Sequence, residues 1–94
     1  MDIGSTIKKI RGLRGLKQND LASRCELTQA YLSKIESNQK EPTLSVLKKI
    51  ALELNVPLPV LFFQALTVED IEPKKRDAFQ IILPSIKSMI ESFF

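Results

Sequence analysis

The sequence predicts an all-α protein, with five short helices in residues 1–66 and an amphipathic helical segment in residues 74–94. Apolar side chains recur at steps of three and four along most of the chain, the spacing of helices with one buried face. Only 3 of the 94 residues are glycine and 44% are apolar, a balance typical of a helical domain with one hydrophobic core. Threonines precede two of the apolar stripes, at Thr28 and Thr43, where a hydroxyl can cap a helix.

Helices 1 and 2 are expected over Ser5–Arg14 and Gln18–Cys25. Gly15 is expected to end helix 1 in the left-handed conformation, which glycine adopts without steric cost. The small side chain of Ala22 suits a close crossing of two helices. The residues predicted to face inward from these two helices are Ile3, Ile7, Ile10, Leu21, Ala22 and Cys25.

Helix 3 is expected to begin after Thr28, whose hydroxyl can accept a hydrogen bond from a free amide of the first turn. Leu32 and Ile35 would face the core, and Asn38 would end the helix in the left-handed conformation. The residues predicted to face solvent are Gln29, Ala30, Ser33, Lys34 and Ser37.

Helix 4 should begin after Thr43 and close at Asn55 or Val56. Its apolar stripe consists of Leu44, Leu47, Ile50, Ala51 and Leu54. A short helix 5 is expected to open at residues 57–59. Residues 67–73 are polar and acidic, and we expect them to connect the bundle to the last segment.

In residues 74–94 an apolar stripe recurs with a spacing close to that of a coiled-coil seam. Pro84 interrupts the stripe, so the segment is either one kinked helix or two helices. If the stripe were left in water, it would expose too much apolar surface, so some partner must cover it. We favour a second copy of the same chain, and the alternative is packing onto its own bundle as a sixth helix. The residues predicted to dimerise are Phe79, Ile82, Ile86, Met89, Ile90 and Phe93.

The composition disfavours several classes of protein. The chain has no histidine and a single cysteine, Cys25, so it cannot build a common zinc site or an internal disulfide. It has no Gly-rich phosphate-binding loop, and its serines have no imidazole partner. We therefore expect neither an enzyme nor a bound metal or cofactor. No apolar stretch approaches the roughly 18 residues of a membrane span, and we expect no secretory signal, since the first ten residues contain an acid and no apolar run. These features predict a cytoplasmic protein with no membrane partner.

The net charge of +3 is unevenly distributed. Residues 1–40 hold eight Lys or Arg against four Asp or Glu, whereas residues 41–94 hold six against seven. The excess of positive charge therefore lies in the half that carries helices 1 to 3. This distribution is the one expected of a protein that binds a polyanion.

The segment Lys17–Pro42 combines these features. It predicts two short helices joined by a tight turn, and its second helix begins with a hydroxyl cap followed at once by Gln29. A glutamine amide at the leading end of a protruding helix can donate to N7 and accept from N6 of adenine. The segment therefore predicts a helix-turn-helix that contacts bases in the major groove of DNA.

The residues from Ile3 to Phe63, about two thirds of the chain, resemble the Cro/C1-type (XRE-type) helix-turn-helix domain of phage repressors and bacterial regulators. The resemblance implies the lambda-repressor-like bundle of five helices and the binding of operator DNA as a dimer. The residues that carry it are Gly15, Leu16, Gln18, Leu21, Ala22, Leu27, Thr28, Gln29, Leu32, Ser33, Lys34, Ile35, Glu36, Pro42 and the stripe Leu47–Leu54.

The same resemblance implies roles for individual residues. Arg11 and Glu36 would form a largely buried, structural ion pair between helices 1 and 3. Lys34 could donate to guanine or to a phosphate, and Tyr31 could reach a phosphate or pack against helix 2. Base contacts are assigned to Gln29, Ala30, Ser33 and Lys34. Phosphate contacts are assigned to Lys17, Gln18, Thr28, Tyr31, Asn38 and Lys40.

Two residues depart from the family pattern. Glu26 stands in the turn where the family commonly has glycine, which adopts a positive φ freely, so Glu26 is expected to strain or shift the turn. Asn38 also stands where glycine is usual, and asparagine is a benign replacement there.

The predicted function is sequence-specific binding of double-stranded DNA by a bacterial or phage-encoded homodimer, a repressor that acts on a palindromic operator. Two alternatives remain. An antitoxin would bind its own promoter and cover a toxin with its C-terminal segment. A protein-interaction scaffold would keep the fold without binding DNA. A protein partner such as a toxin or an anti-repressor therefore stays possible, and the sequence does not separate repression from activation.

Overall fold

The computed structural model describes all residues from Met1 to Phe94 and contains six α-helices and no β-strand. The all-α prediction is therefore confirmed. Two short 3-10 turns, Val68–Asp70 and Pro73–Lys75, lie in and after the expected connector. The helices are α1 (Ile3–Leu13), α2 (Gln18–Arg24), α3 (Gln29–Glu36), α4 (Leu44–Glu53), α5 (Leu58–Ala65) and α6 (Arg76–Glu91).

The predicted caps begin and end the helices of the bundle. The hydroxyl of Thr28 accepts a hydrogen bond from the amide of Tyr31 at 3.1 Å, and that of Thr43 accepts one from Val46 at 3.2 Å. Gly15 has a φ of 70°, so α1 ends in the left-handed conformation as its sequence indicates.

Helix α1 begins two residues earlier than predicted, at Ile3 rather than Ser5. The side chain of Asp2 caps it, because Oδ1 accepts a hydrogen bond from the amide of Ser5 at 3.2 Å. An aspartate is among the preferred N-cap residues, so Asp2 is the signal that the sequence prediction overlooked.

One hydrophobic core joins the six helices. Its fully buried members include Ile7, Leu21 and Leu32, one from each of the first three helices. Cys25 belongs to this core as predicted, and its burial raises the pKa of the thiol. Leu44 does not, since it is 55% exposed at the first position of α4, where the side chain lies beyond the core. The predicted stripe of α4 is otherwise inward.

Helix α6 continues through Pro84 as a single helix, which settles the choice between one helix and two. Its apolar stripe is divided. Ile90 is 5% exposed in the core and Ile86 packs against the core, so these two residues follow the alternative in which the segment packs onto its own bundle. Ile82 and Met89 remain largely exposed, because they lie on the side of the helix turned away from the core.

Arg14 ties the end of α6 to the bundle. Its Nε donates to the carbonyl of Leu54 at 2.9 Å, and its Nη2 donates to the carbonyl of Phe93 at 2.8 Å. The guanidinium carbon lies 5.1 Å from the centre of the Phe94 ring, within the range of a cation–π contact. The side chain that follows α1 thus holds the C-terminal ends of both α4 and α6. None of the six helices is both long and apolar enough to cross a lipid bilayer.

Candidate nucleic-acid interface

The turn between α2 and α3 is short and strained. It joins Arg24 to Gln29, and the amide of Leu27 donates to the carbonyl of Ala22 at 2.8 Å. Glu26 has a φ of 59°, the left-handed conformation that non-glycine residues adopt at a cost. The turn therefore keeps its geometry despite the missing glycine, and the strain expected from Glu26 is present.

The two faces of α3 differ completely. Leu32, Ile35 and Glu36 are buried against α1 and α2. Because those residues fix the rotation of the helix, the opposite side projects into solvent. The exposed residues of that side are Gln29, Ala30, Ser33, Lys34 and Ser37.

A buried ion pair anchors α3 to α1. Arg11 Nε donates to Glu36 Oε2 at 2.8 Å, and Arg11 Nη2 donates to Oε1 at 3.0 Å, the paired geometry that guanidinium and carboxylate groups favour. Arg11 also donates to the carbonyl of Leu16 at 2.9 Å. The hydrogen bonds to Glu36 raise the pKa of Arg11. Arg11 and Glu36 thus form the pair that the family resemblance implies.

Gln18 extends this network to the surface. Its Nε2 donates to Glu36 Oε1 at 3.1 Å, and its Oε1 accepts from Gln29 Nε2 at 3.5 Å. A carboxylate only accepts hydrogen bonds, so Glu36 requires the amino side of the Gln18 amide and turns the carbonyl side toward Gln29. The Gln29 amide then keeps one N–H and its carbonyl oxygen free to bind a ligand.

The residues expected to contact phosphates lie at the two ends of this exposed face. Lys17 precedes α2 and Lys40 follows α3, and both side chains are exposed. Thr28 accepts a hydrogen bond as a cap, and its own hydroxyl proton remains available to a phosphate. Tyr31 is half-buried and packs against the core. The aromatic ring of Tyr31 is therefore packed in the fold, as the second of its two predicted roles requires.

Asn38 has a contact that the sequence prediction missed. Its Oδ1 accepts from the amide of Gly4 at 3.0 Å, and its Nδ2 donates to Asp2 Oδ1 at 2.8 Å. Both sides of the amide thus make contacts within the fold, and the second N–H of Nδ2 stays available to a ligand. The phosphate contact of Asn38 therefore stays a prediction. The hydrogen bonds from Asn38, and then from Ser5, lower the pKa of Asp2.

Gly4 makes this contact possible. A Cβ at Gly4 would collide with the carbonyl oxygen of Ile35 and the side chain of Asn38, so only glycine lets α1 approach the end of α3 this closely. The left-handed φ of 63° at Asn38, predicted from sequence, places its amide against Gly4. A glycine in the first turn of an amphipathic helix was the available signal for this approach.

A family model described as helix-turn-helix matches residues 7–61, more than half of the chain. The HTH-type transcriptional regulator SutR of Escherichia coli (strain K12) is 40% identical over 55 residues, which make up 58% of this chain and 31% of that protein. The immunity repressor protein of Bacillus phage phi105 is 36% identical over 61 residues, 65% of this chain and 42% of that protein. The match thus spans less than half the length of either relative.

Two solved structures share the fold. The clp gene regulator ClgR from Corynebacterium glutamicum superposes with a TM-score of 0.70 at 19% identity, over 89% of each chain. Bacillus thuringiensis PlcR, solved in complex with the peptide PapR7 and DNA, superposes with a TM-score of 0.64 at 39% identity, over 87% of this chain and 29% of that one. The family match, the relatives and the shared fold together show that this chain belongs to the Cro/C1-type (XRE) helix-turn-helix family.

Proposed function

We propose that this chain binds double-stranded DNA sequence-specifically, with α3 in the major groove, and that it regulates transcription. The observation that carries the proposal is the Gln29 amide, exposed at the start of α3 and contacted by Gln18, which is itself bonded to the buried Glu36. An amide oriented before binding loses less entropy when it pairs with a base. The free N–H and carbonyl of Gln29 match the acceptor N7 and the donor N6 of adenine.

The neighbours of Gln29 complete the proposed base contacts. Ala30 offers a methyl group that can lie against the methyl of thymine, and Ser33 can donate or accept one hydrogen bond. Lys34 lies about one helical turn after Ala30 and reaches a guanine or a phosphate. These contacts follow from the single outward face of α3.

Phosphate contacts are proposed for the exposed groups that flank this face. Lys17 and Lys40 carry charge at its two ends, and Gln18 and Thr28 each retain a hydrogen-bond donor. Such contacts release condensed counterions, so affinity should fall steeply with salt whatever the DNA sequence. They fix the register of α3 without selecting bases.

We further propose that two copies bind a palindromic operator and repress by blocking polymerase. A two-fold dimer places its recognition helices one turn of DNA apart, about 34 Å. The phage immunity repressor among the relatives supports repression, and PlcR supports contact with DNA and with a protein partner. We also propose that this chain binds a protein partner, such as a toxin or an anti-repressor.

Selection of bound oligonucleotides from a random pool tests the proposal. We expect enrichment of two inverted half-sites, each with an adenine at one position that Gln29→Ala no longer selects. A pool that remains random, together with binding that does not change with salt, would contradict DNA recognition and favour the scaffold alternative.

A further inference from the structure

One strip of α6 is apolar and uncovered. Its large apolar residues are between 53% and 79% exposed, although Ile86 and Ile90 on the adjoining side are packed on the core. With 3.6 residues per turn, the exposed residues fall within about one third of the helix circumference. The strip consists of Ala78, Ile81, Ile82, Ser85 and Met89.

The strip carries no charge. The charged residues of α6 are Arg76, Asp77, Lys87 and Glu91. The helical repeat places Asp77 beside Ile81 at the edge of the strip and directs the other three away from it. A nucleic acid would find no cation here, so an apolar surface suits this strip best.

We propose that the strip binds the same strip of a second copy, with the two α6 helices antiparallel across a two-fold axis at Ser85. This proposal rests on the homodimer proposed above and specifies its interface. Pairing between identical surfaces closes after two copies, so it gives a dimer and not a filament.

The sizes of the side chains argue for a second copy as the occupant. Ser85 is small and central, Ile81 and Ile82 lie about one turn before it, and Met89 lies one turn after it. In an antiparallel pair, the isoleucines of each copy face Met89 of the other, and the two serines let the backbones approach. This pattern of side-chain sizes favours helices that run in opposite directions.

The ends of the strip follow the same pattern. Ala78 is small and lies near the start of α6, whereas Phe93 is 46% exposed just beyond its end. The antiparallel arrangement brings Ala78 of one copy opposite Phe93 of the other, again a small residue against a large one. A parallel pair would place the two Phe93 rings together and leave a gap between the serines.

The size of the strip also predicts the strength of the dimer. An interface one helix wide is smaller than the roughly 800 Å² per partner of a standard protein interface. The free chains should therefore exchange between monomer and dimer. An operator that holds two copies side by side would favour the dimer, since it raises their effective concentration.

Single cysteines on α6 test the orientation. Cys25 is 1% exposed and stays silent under mild oxidation. Ser85→Cys should form a disulfide between copies at least tenfold faster than Gln80→Cys, whose side chain lies on the opposite side of α6. Met89→Cys alone should cross-link slowly, but it should cross-link readily when mixed with Ile82→Cys.

The measured mass in solution provides the second test. Combining Ile82→Asp with Met89→Asp should shift the dimer dissociation constant at least tenfold, whereas Gln80→Asp should not. Equal cross-linking of Ser85→Cys and Gln80→Cys, self-cross-linking of Met89→Cys as fast as Ser85→Cys, or an unchanged mass in the double variant would each overturn the proposed interface. Cross-linking at Ser85 in a chain that selects no DNA sequence would support the interface while rejecting the proposed function.

Discussion

Helices α3 and α6 are both amphipathic, but they present opposite chemistry to solvent. The outer face of α3 is polar, and the helix is fixed by an ion pair to α1, by the Thr28 cap at its start and by the contact of Asn38 with Gly4 after its end. The outer face of α6 is apolar, and apart from Ile86 and Ile90 the helix is held mainly at its C-terminal end by Arg14. A helix that selects bases needs fixed polar groups, whereas a helix that associates needs uncovered apolar area.

The largest expected effect comes from breaking the ion pair between Arg11 and Glu36, which fixes α3 against α1. Arg11→Ala should lower the free energy of unfolding by about 3–5 kcal/mol, because it leaves the buried carboxylate of Glu36 without its cation. Denaturant unfolding measures this change. The matched control combines Arg11→Met with Glu36→Leu, which removes both charges and should cost much less. Equal losses in both variants would mean that packing and not charge holds α3 at this point.

The next prediction compares the two sides of α6. Ile90→Ala should lower the free energy of unfolding by about 2–5 kcal/mol, because it opens a cavity in the core. Ile82→Ala removes the same atoms from the exposed strip and should change the stability of the dilute chain by less than about 0.5 kcal/mol. Thermal or denaturant unfolding of both variants checks the division. Similar losses of unfolding free energy in the two variants would show that both sides of α6 pack on the core.

The outer face of α3 is tested by DNA binding. Gln29→Ala should cost about 1–3 kcal/mol on the selected operator and relax the preference at one base pair. Lys40→Ala is the control, because it should weaken binding to every sequence alike and reduce the slope of log affinity against log salt by about 1. A uniform loss across sequences for Gln29→Ala would contradict its contact with a base.

The smallest effect concerns the contact between Asp2 and Asn38 at the end of α3. Hydrogen bonds lower the pKa of Asp2 in the folded chain, so its carboxylate stabilises the fold above its usual pKa. That contribution is lost as the pH falls through the lowered, folded-state pKa. Asp2→Asn keeps a capping side chain but has no such titration.

The free energy of unfolding, measured for both proteins from about pH 6 down to about pH 3, should therefore show a gap that narrows on acidification. A gap that stays constant over this range would exclude a contribution from the Asp2 charge. Thr6→Ser provides a control near the same turn that adds no titratable group.

Much of the bundle followed from local patterns. Thr28 and Thr43 cap their helices, and Gly15 and Asn38 end theirs in the left-handed conformation, because capping and a positive φ depend on one or two neighbouring residues. Asp2 was missed for a different reason. Its cap is a local signal, but its bond to Asn38 joins residues 36 positions apart, which no periodic pattern reveals.

The candidate interface was predicted in part. The exposure of Gln29 followed from the periodicity of α3, since burying Leu32 and Ile35 fixes the opposite face. The orientation of its amide did not, because it depends on Gln18 and on the buried Glu36. The contact of Asn38 with Gly4 did not follow either, because it depends on how closely α1 approaches the end of α3.

The sequence by itself determined which faces are apolar, where helices α2 to α5 begin, and which residues of α3 point outward, because these depend on helical periodicity and local capping. Only the tertiary structure decided how the stripe of α6 is shared. Periodicity shows that Ile82, Ile86, Met89 and Ile90 lie on one side of a helix, but it does not show how wide a surface the bundle offers them. That surface takes Ile86 and Ile90 and leaves the others to solvent, because a helix packed on a curved core buries only the residues nearest its line of contact.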